Sequence, residues 1–159
     1  MRDEGSRLQQ EIRQKRPFAS SAEEAALALL KTADTVRRLI SAVVEPHGIT
    51  LQQYNVLRIL RGAGSEGLPT LEIASRMIEQ APGITRLIDR LEAKGLVERR
   101  RGGKDRRQVL CGVTREGLEL LAGLDEPVKA ADEHAMNGVP EDDLVTLIRL
   151  LDRVRSGPV

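Results

Sequence analysis

Apolar residues recur at three- and four-residue intervals along residues 26–43, a pattern that predicts a long helix. Ser20 stands three residues before Glu23, which is the spacing of a capping box at a helix start. The run 45–48 contains proline and glycine and ends this helix. At more than twenty residues, the helix is long for so small a protein.

The same periodicity, with its own start signals, predicts four further helices. Thr50, followed by Gln53, repeats the capping pattern. Thr70 caps a short helix over about residues 71–77. Thr114 begins another helix, and the last one follows Pro140 with apolar residues on one stripe.

The central part of the chain changes from helical to strand periodicity. A helix is expected over about residues 81–94, with Pro82 at its first position and Gly95 at its end. The segments 96–100 and 108–113 then alternate with a period of two and read as two short strands. A helix, a short helix, a tight turn, a helix and a hairpin make up a winged helix-turn-helix.

The chain is expected to form one domain, 1–159, that is mainly α with a small β-hairpin wing. Within it, the winged helix-turn-helix spans 48–116, and 1–19 is an N-terminal extension that forms a short helix or stays disordered. The helices at 20–46 and 117–156 carry more apolar surface than a lone winged domain has to cover. They either meet another chain or roof a single core.

Charge is segregated along the chain. The whole carries 25 Lys and Arg against 24 Asp and Glu, but residues 76–107 contain ten basic and five acidic side chains. Such a segment suits an anionic partner, although a solvated charged surface gives the same count. Phe18 and Tyr54 are the only aromatic residues, which counts against modules that stack bases on aromatic platforms.

The helix over residues 81–94 has separate core and reading faces, and Arg86 suits bidentate contact with a guanine edge. Thr85 meets a thymine methyl or a phosphate, and Arg90 meets phosphate. Asp89 either holds one of the two arginines in position or accepts from a cytosine amine. The residues predicted to contact DNA from this helix and its start are Pro82, Gly83, Thr85, Arg86, Asp89 and Arg90.

The predicted hairpin tip is basic and carries two glycines. Its side chains would reach a minor groove or the neighbouring phosphates, and Asp105 would brace Arg107. A soluble loop kept from edge pairing by its charge is the plain alternative. The predicted DNA contacts of the wing, 101–107, are Arg101, Lys104, Arg106 and Arg107.

The run 84–97, followed by Asp-Arg-Arg at 105–107 and Thr-x-x-Gly at 114–117, resembles the MarR family of bacterial transcriptional regulators. The sequence departs from the family at Pro82-Gly83, where small or hydroxyl residues are usual. The resemblance implies a repressor that binds a palindromic double-stranded operator as a homodimer, with 20–46 and 117–156 as dimerisation helices.

The resemblance also implies release of DNA by a small anionic aromatic effector, bound between the dimerisation helices and the winged domain. Candidate effector ligands in that region are Arg37, His47, Tyr54 and Arg58. Tyr54 also fits a regular core stripe, and His47 fits a helix end. Cys111 falls on the apolar face of a wing strand, where an inert thiol is expected, so peroxide sensing is not predicted.

The sequence gives little support to other classes of function. The two histidines, His47 and His134, lack ligand-like spacing and a nearby nucleophile, so neither an enzyme nor a cofactor is predicted. A metal-responsive regulator of the same fold, using His47 and His134, is the alternative reading. Apolar runs are far shorter than a membrane span, which predicts a cytoplasmic protein with no membrane partner.

Overall fold

The computed structural model describes residues 6–102 and 107–157 and confirms a mainly helical fold with a small antiparallel sheet. The helices are α1 (Arg7–Glu11), α2 (Ser21–Val44), α3 (Leu51–Ala63), α4 (Thr70–Arg76), α5 (Ile84–Ala93), α6 (Arg115–Ala135) and α7 (Glu141–Arg155), and the strands are β1 (Leu68–Pro69), β2 (Val97–Arg101) and β3 (Val109–Val113). The strands lie in the sheet in the order β1-β3-β2.

The predicted helix starts at Ser20 and Thr50 are confirmed. The Ser20 hydroxyl accepts from the Glu23 N–H at 3.1 Å, and the Glu23 carboxylate accepts from the Ala19 N–H at 2.6 Å. Thr50 and Gln53 form a complete capping box at the start of α3. Only the start at Thr50 is a complete capping box, because the Glu23 carboxylate binds Ala19 and not Ser20, but both starts satisfy backbone donors that have no partner within the helix.

Thr70 does not cap α4, contrary to the prediction. Pro69 holds the capping position without a side-chain hydrogen bond, and Thr70 is already helical. The reason is a third strand that the sequence pattern did not reveal. Leu68 and Pro69 pair with Cys111 and Leu110 of β3, so extended backbone runs directly into the helix.

The expected helix over residues 81–94 begins later, at Ile84. The Ile84 N–H donates to the Ala81 carbonyl at 3.1 Å, which closes a turn, and Gly83 at φ −105° and ψ 32° lies outside the helical region. Pro82 therefore precedes α5 and does not occupy its first position. At the other end, Gly95 takes a left-handed φ of 72°, as a glycine ending a helix commonly does.

The wing is a hairpin in which β2 and β3 pair from Val97 with Val113 to Arg101 with Val109. Both strands begin one residue later than the sequence pattern predicts. The Gly102 N–H donates to the Gln108 carbonyl at 2.8 Å and continues the ladder toward the tip. Lys104, Asp105 and Arg106 lie outside the described residues, so their predicted roles are not addressed by the structure.

One core joins the helix-turn-helix to the wing and to α6. Its fully buried side chains exclude water between the inner face of α5 and the helices behind it, which fixes the direction in which the outer face points. These side chains include Leu57, Leu60, Ile73, Ile88, Leu91, Val97, Leu121 and Leu124.

The Thr-x-x-Gly segment joins the wing to α6. Thr114 donates its hydroxyl to the Gly95 carbonyl at 2.7 Å and accepts from the Gly117 N–H at 3.1 Å. A Cβ at Gly117 would lie 2.4 Å from the Leu96 carbonyl oxygen, so only glycine allows this approach. Thr114 and Gly117 thus hold the start of α6 against residues 95–96, which follow α5.

Candidate nucleic-acid interface and ligand cavity

The outer face of α5 presents the polar side chains that the sequence predicts. Thr85, Arg86 and Arg90 are exposed, whereas Ile88 and Leu91 on the opposite face are fully buried. Over residues 6–102 and 107–157, no carboxylate lies within 4 Å of the Arg86 or Arg90 guanidinium. Both cations are therefore available to an external anion, and no side chain caps the helix start.

Asp89 pairs with a residue that the sequence analysis did not predict as its partner. Its carboxylate accepts from Arg99 of β2 at 2.6 Å, and Arg99 also donates to Glu92. Desolvation opposes the charge on Arg99, but its two carboxylate hydrogen bonds outweigh that effect and raise its pKa above the ordinary value. Asp89 thus ties α5 to the wing, and the expected pairing with Arg86 or Arg90 is wrong.

The remaining predicted contacts flank α5 and the hairpin tip. Pro82 and Gly83 are exposed in the turn before α5. Arg101 is exposed at the end of β2, and Arg107 is exposed just before β3. The described basic residues of the wing and of α5 therefore belong to two elements that Arg99 joins directly.

A cavity of about 770 Å³ lies between the long helices and the helix-turn-helix. Arg37, Tyr54 and Arg58, three of the four predicted effector ligands, line it, whereas His47 lies elsewhere, at the end of a short 3-10 helix. Most of its lining is apolar and comes from α2, α3, α6 and α7, for example Leu29, Val36, Ile40, Val128, Leu147 and Leu151.

Tyr54 is both a core residue, as its apolar stripe predicts, and part of the cavity wall. It is 5% exposed, and the Arg58 guanidinium lies 5.9 Å from its ring centroid, within cation–π range. Burial raises the pKa of the Tyr54 phenol above its ordinary value, and Arg58 partly opposes this. The hydroxyl therefore stays protonated at neutral pH and can donate to a ligand.

The turn between α4 and α5 forms another part of the cavity wall, which the sequence reading missed. Arg37 of α2 donates to Glu79 at 2.5 Å, and the buried Asn55 accepts from the Ile78 N–H at 2.9 Å. Neither contact has a local sequence signal, because the partners lie 42 and 23 residues apart.

The metal-site reading finds no support in the described part of the chain. No group of three or more His, Cys, Asp or Glu side chains there is arranged to hold a metal ion. Cys111 is fully buried, in keeping with the inert thiol expected on this strand. None of the described helices combines the length and hydropathy that crossing a bilayer requires.

Known proteins resemble the chain across this architecture. The MarR family model matches residues 49–109, which cover the helix-turn-helix and most of the wing. A MarR transcription factor from Planctomyces limnophilus is 42% identical, with a TM-score of 0.65. The similarity covers 85% of this chain and 98% of that one.

Two further solved structures are similar and contain bound molecules. A variant of MarR from E. coli, complexed with operator DNA, is 26% identical with a TM-score of 0.73, over 80% of this chain and 90% of that one. CouR from Rhodococcus jostii, bound to p-coumaroyl-CoA, is 25% identical with a TM-score of 0.75, over 89% of this chain and 99% of that one.

Proposed function

This chain belongs to the MarR family of transcriptional regulators, and we propose that it represses transcription by binding a palindromic operator as a homodimer. In this proposal, α5 enters the major groove, the wing at 101–107 follows the minor groove and backbone, and a small anionic aromatic effector releases the complex. The observation that carries it is the outer face of α5, where Arg86 and Arg90 are exposed and form no ion pair with any residue that the structure describes.

The electrostatics of α5 and the wing support DNA as the partner. Arg86 is exposed in the first turn of α5, where groove-reading helices commonly contact base edges. Arg99, in contrast, is engaged by Asp89 and Glu92 and serves to hold helix and wing together. A rigid relation between them lets groove and backbone contacts form at once, without an ordering cost at binding.

The apolar surface of α7 supports self-association. None of its fifteen residues is buried, yet one helix face is rich in large aliphatic side chains. A second copy is the occupant we propose, because an operator with two half-sites requires two α5 helices related by two-fold symmetry. The exposed aliphatic residues of α2 and α7 that do not line the cavity are Leu30, Val145 and Ile148.

The cavity supports an effector with an aromatic body and an anionic group. Its apolar walls suit a ring, Tyr54 offers a protonated hydroxyl, and Arg37 and Arg58 offer positive charge. The similar protein CouR, bound to p-coumaroyl-CoA, accommodates a ligand of that general kind. Repression then needs only that the dimer occupy its operator and leave it when the cavity is filled.

Selection of bound duplexes from a random DNA pool tests the proposal. We expect enriched sequences with two-fold symmetry and half-sites about 34 Å apart, one helical turn. Competition of the complex with a panel of aromatic carboxylates should then release the DNA. A protein that stays monomeric and binds no duplex at low ionic strength would overturn the proposal.

A further inference from the structure

The turn at residues 77–80 belongs to two sites at once. Met77, Ile78 and Glu79 line the cavity, and the same turn leads through Pro82 into α5. It carries no regular secondary structure of its own, so its position depends on the contacts made by its side chains and backbone. Those contacts therefore influence where the outer face of α5 points.

Two hydrogen bonds hold this turn, one to α3 and one to α2. The buried Asn55 of α3 accepts from the Ile78 N–H, and Arg37 of α2 donates to the Glu79 carboxylate. The first contact is part-buried, because Asn55 is buried whereas the Ile78 side chain is exposed. The second is half-open, because the side chains of Arg37 and Glu79 are 42% and 41% exposed. A molecule in the cavity can reach the second contact directly.

The charges in the cavity wall make this contact sensitive to an anion. The wall carries two cations, Arg37 and Arg58, and two carboxylates, Glu79 and Asp132. Arg37 already shares its charge between Glu79 at 2.5 Å and Asp34 at 3.8 Å. An incoming carboxylate that binds Arg37 competes with the Glu79 carboxylate for the same donors, and it repels Glu79 as well.

We propose that the Arg37–Glu79 ion pair positions the turn for DNA binding, and that a carboxylate-bearing ligand weakens DNA binding by taking Arg37 from Glu79. This inference rests on the proposed function and names the residues through which the cavity acts on α5. Glu79 is then a positioning residue, since it acts on DNA affinity through the turn and not by touching DNA.

Linkage gives the inference a signature that a purely structural role lacks. If the pair favours the DNA-binding form, its loss lowers DNA affinity and raises affinity for the anionic ligand together. Glu79→Gln removes the competing charge while keeping the size of the side chain. Arg37→Gln removes the donor and the site for the anion, so it lowers both affinities.

The test compares five variants with the parent in two measurements without ligand: DNA affinity, and amide hydrogen exchange at residues 77–80. Glu79→Gln and Arg37→Gln should each weaken DNA binding about three- to tenfold and speed exchange, and the double variant should be no worse than either. The exchanged pair, R37E with E79R, should recover DNA affinity to within about threefold. Lys31→Gln is the control, because Lys31 is exposed on the same helix and has no ion pair among the described residues; it should behave as the parent does.

The ligand part uses trans-cinnamate as the anionic probe and cinnamamide as its neutral counterpart. Cinnamate should lower the DNA affinity of the parent protein, and it should bind Glu79→Gln more tightly while changing its DNA affinity less. Equal effects of the two probes, or no binding of cinnamate to either protein, would overturn the ligand-driven release.

Failure of the inference is distinguishable from failure of the proposed function. A parent protein that binds no duplex defeats the proposed function, while hydrogen exchange at 77–80 still reports on the ion pair. A parent that binds DNA normally, together with a Glu79→Gln variant of equal affinity and unchanged exchange, defeats the inference alone. Additive losses in the double variant would also overturn it.

Discussion

The segment from α3 to β3, called the body below, buries a core of apolar residues, whereas helix α7 leaves its own exposed or half-buried. In the body, α3 buries six of its thirteen residues, and its Leu57 and Leu60 are completely inaccessible to solvent. In α7, a more strongly amphipathic helix of fifteen residues buries none, and Ile148 is 58% exposed. The body packs its apolar side chains against described residues of the same chain, whereas α7 leaves its own partly or fully exposed.

The body and α7 therefore differ in what stabilises them. A helix in water draws most of its stability from packing its apolar face, and the described residues of this chain bury none of α7. In the proposed dimer, a second copy supplies the missing surface. The body requires only its own core to hold α5 and the wing in place. Substitutions in the two regions should therefore have different consequences for unfolding and for association.

The largest effect is expected in the core of the body. Leu60→Ala removes a fully buried side chain, and the lost burial together with the cavity left behind should lower the free energy of unfolding by about 2–5 kcal/mol. Denaturant unfolding measures this change. The matched control is Leu71→Ala on α4, where leucine is 84% exposed and the change should stay within about 0.5 kcal/mol. Equal losses for the two variants would mean that α3 does not form the core.

In α7 the expected effect is on association. Ile148→Asp places a charge on the apolar face and should weaken self-association by about 2–4 kcal/mol, with a parallel loss of DNA affinity. Sedimentation velocity across a concentration series measures it.

Thr146→Asp is the control for this substitution, since it adds the same charge to an exposed position away from the apolar stripe of α7. We expect Thr146→Asp to associate like the parent. If Ile148→Asp also associates like the parent, the contrast between body and α7 has another cause than dimerisation.

Local chemistry explains which parts of the fold the sequence could predict. The N-caps Ser20 and Thr50 each accept from a backbone N–H three residues later, so these hydrogen bonds can be predicted from the sequence. The start of α5 was misplaced because Pro82 is compatible with a first helical turn, yet here it lies in the preceding turn, closed by the Ile84 N–H. The strand β1 was missed because two residues carry no periodicity.

Long-range pairing explains what could not be predicted at the site. The exposure of Arg86 and Arg90 was predictable, because helical periodicity alone separates the two faces of α5. Arg99 was not identified, since its partners Asp89 and Glu92 lie on another element and no periodic pattern links them. Within a basic segment, the sequence alone does not distinguish an arginine that forms ion pairs inside the protein from one that stays exposed and unpaired.

The next prediction concerns the body and tests the outer face of α5. Arg86→Ala should cost about 1–3 kcal/mol of binding to the selected operator and relax sequence preference, because a bidentate base contact is lost. Titration of operator and random duplexes measures both effects. Lys31→Ala on α2 removes an exposed cation that has no ion pair among the described residues, and it should change neither affinity. Equal losses of Arg86→Ala on both duplexes would contradict a base-reading role.

The smallest effect is expected at the wing tip, where Lys104 lies outside the described residues and its role rests on the sequence. If Lys104 binds phosphate, Lys104→Ala should weaken binding to operator and random duplexes evenly and lower the salt slope of the affinity by about one. The affinity is measured over a salt series on both duplexes. A loss confined to the operator would assign base reading to the wing. An unchanged slope would leave α5 and the described arginines of the hairpin as the whole interface, and the body would then bind DNA without its tip.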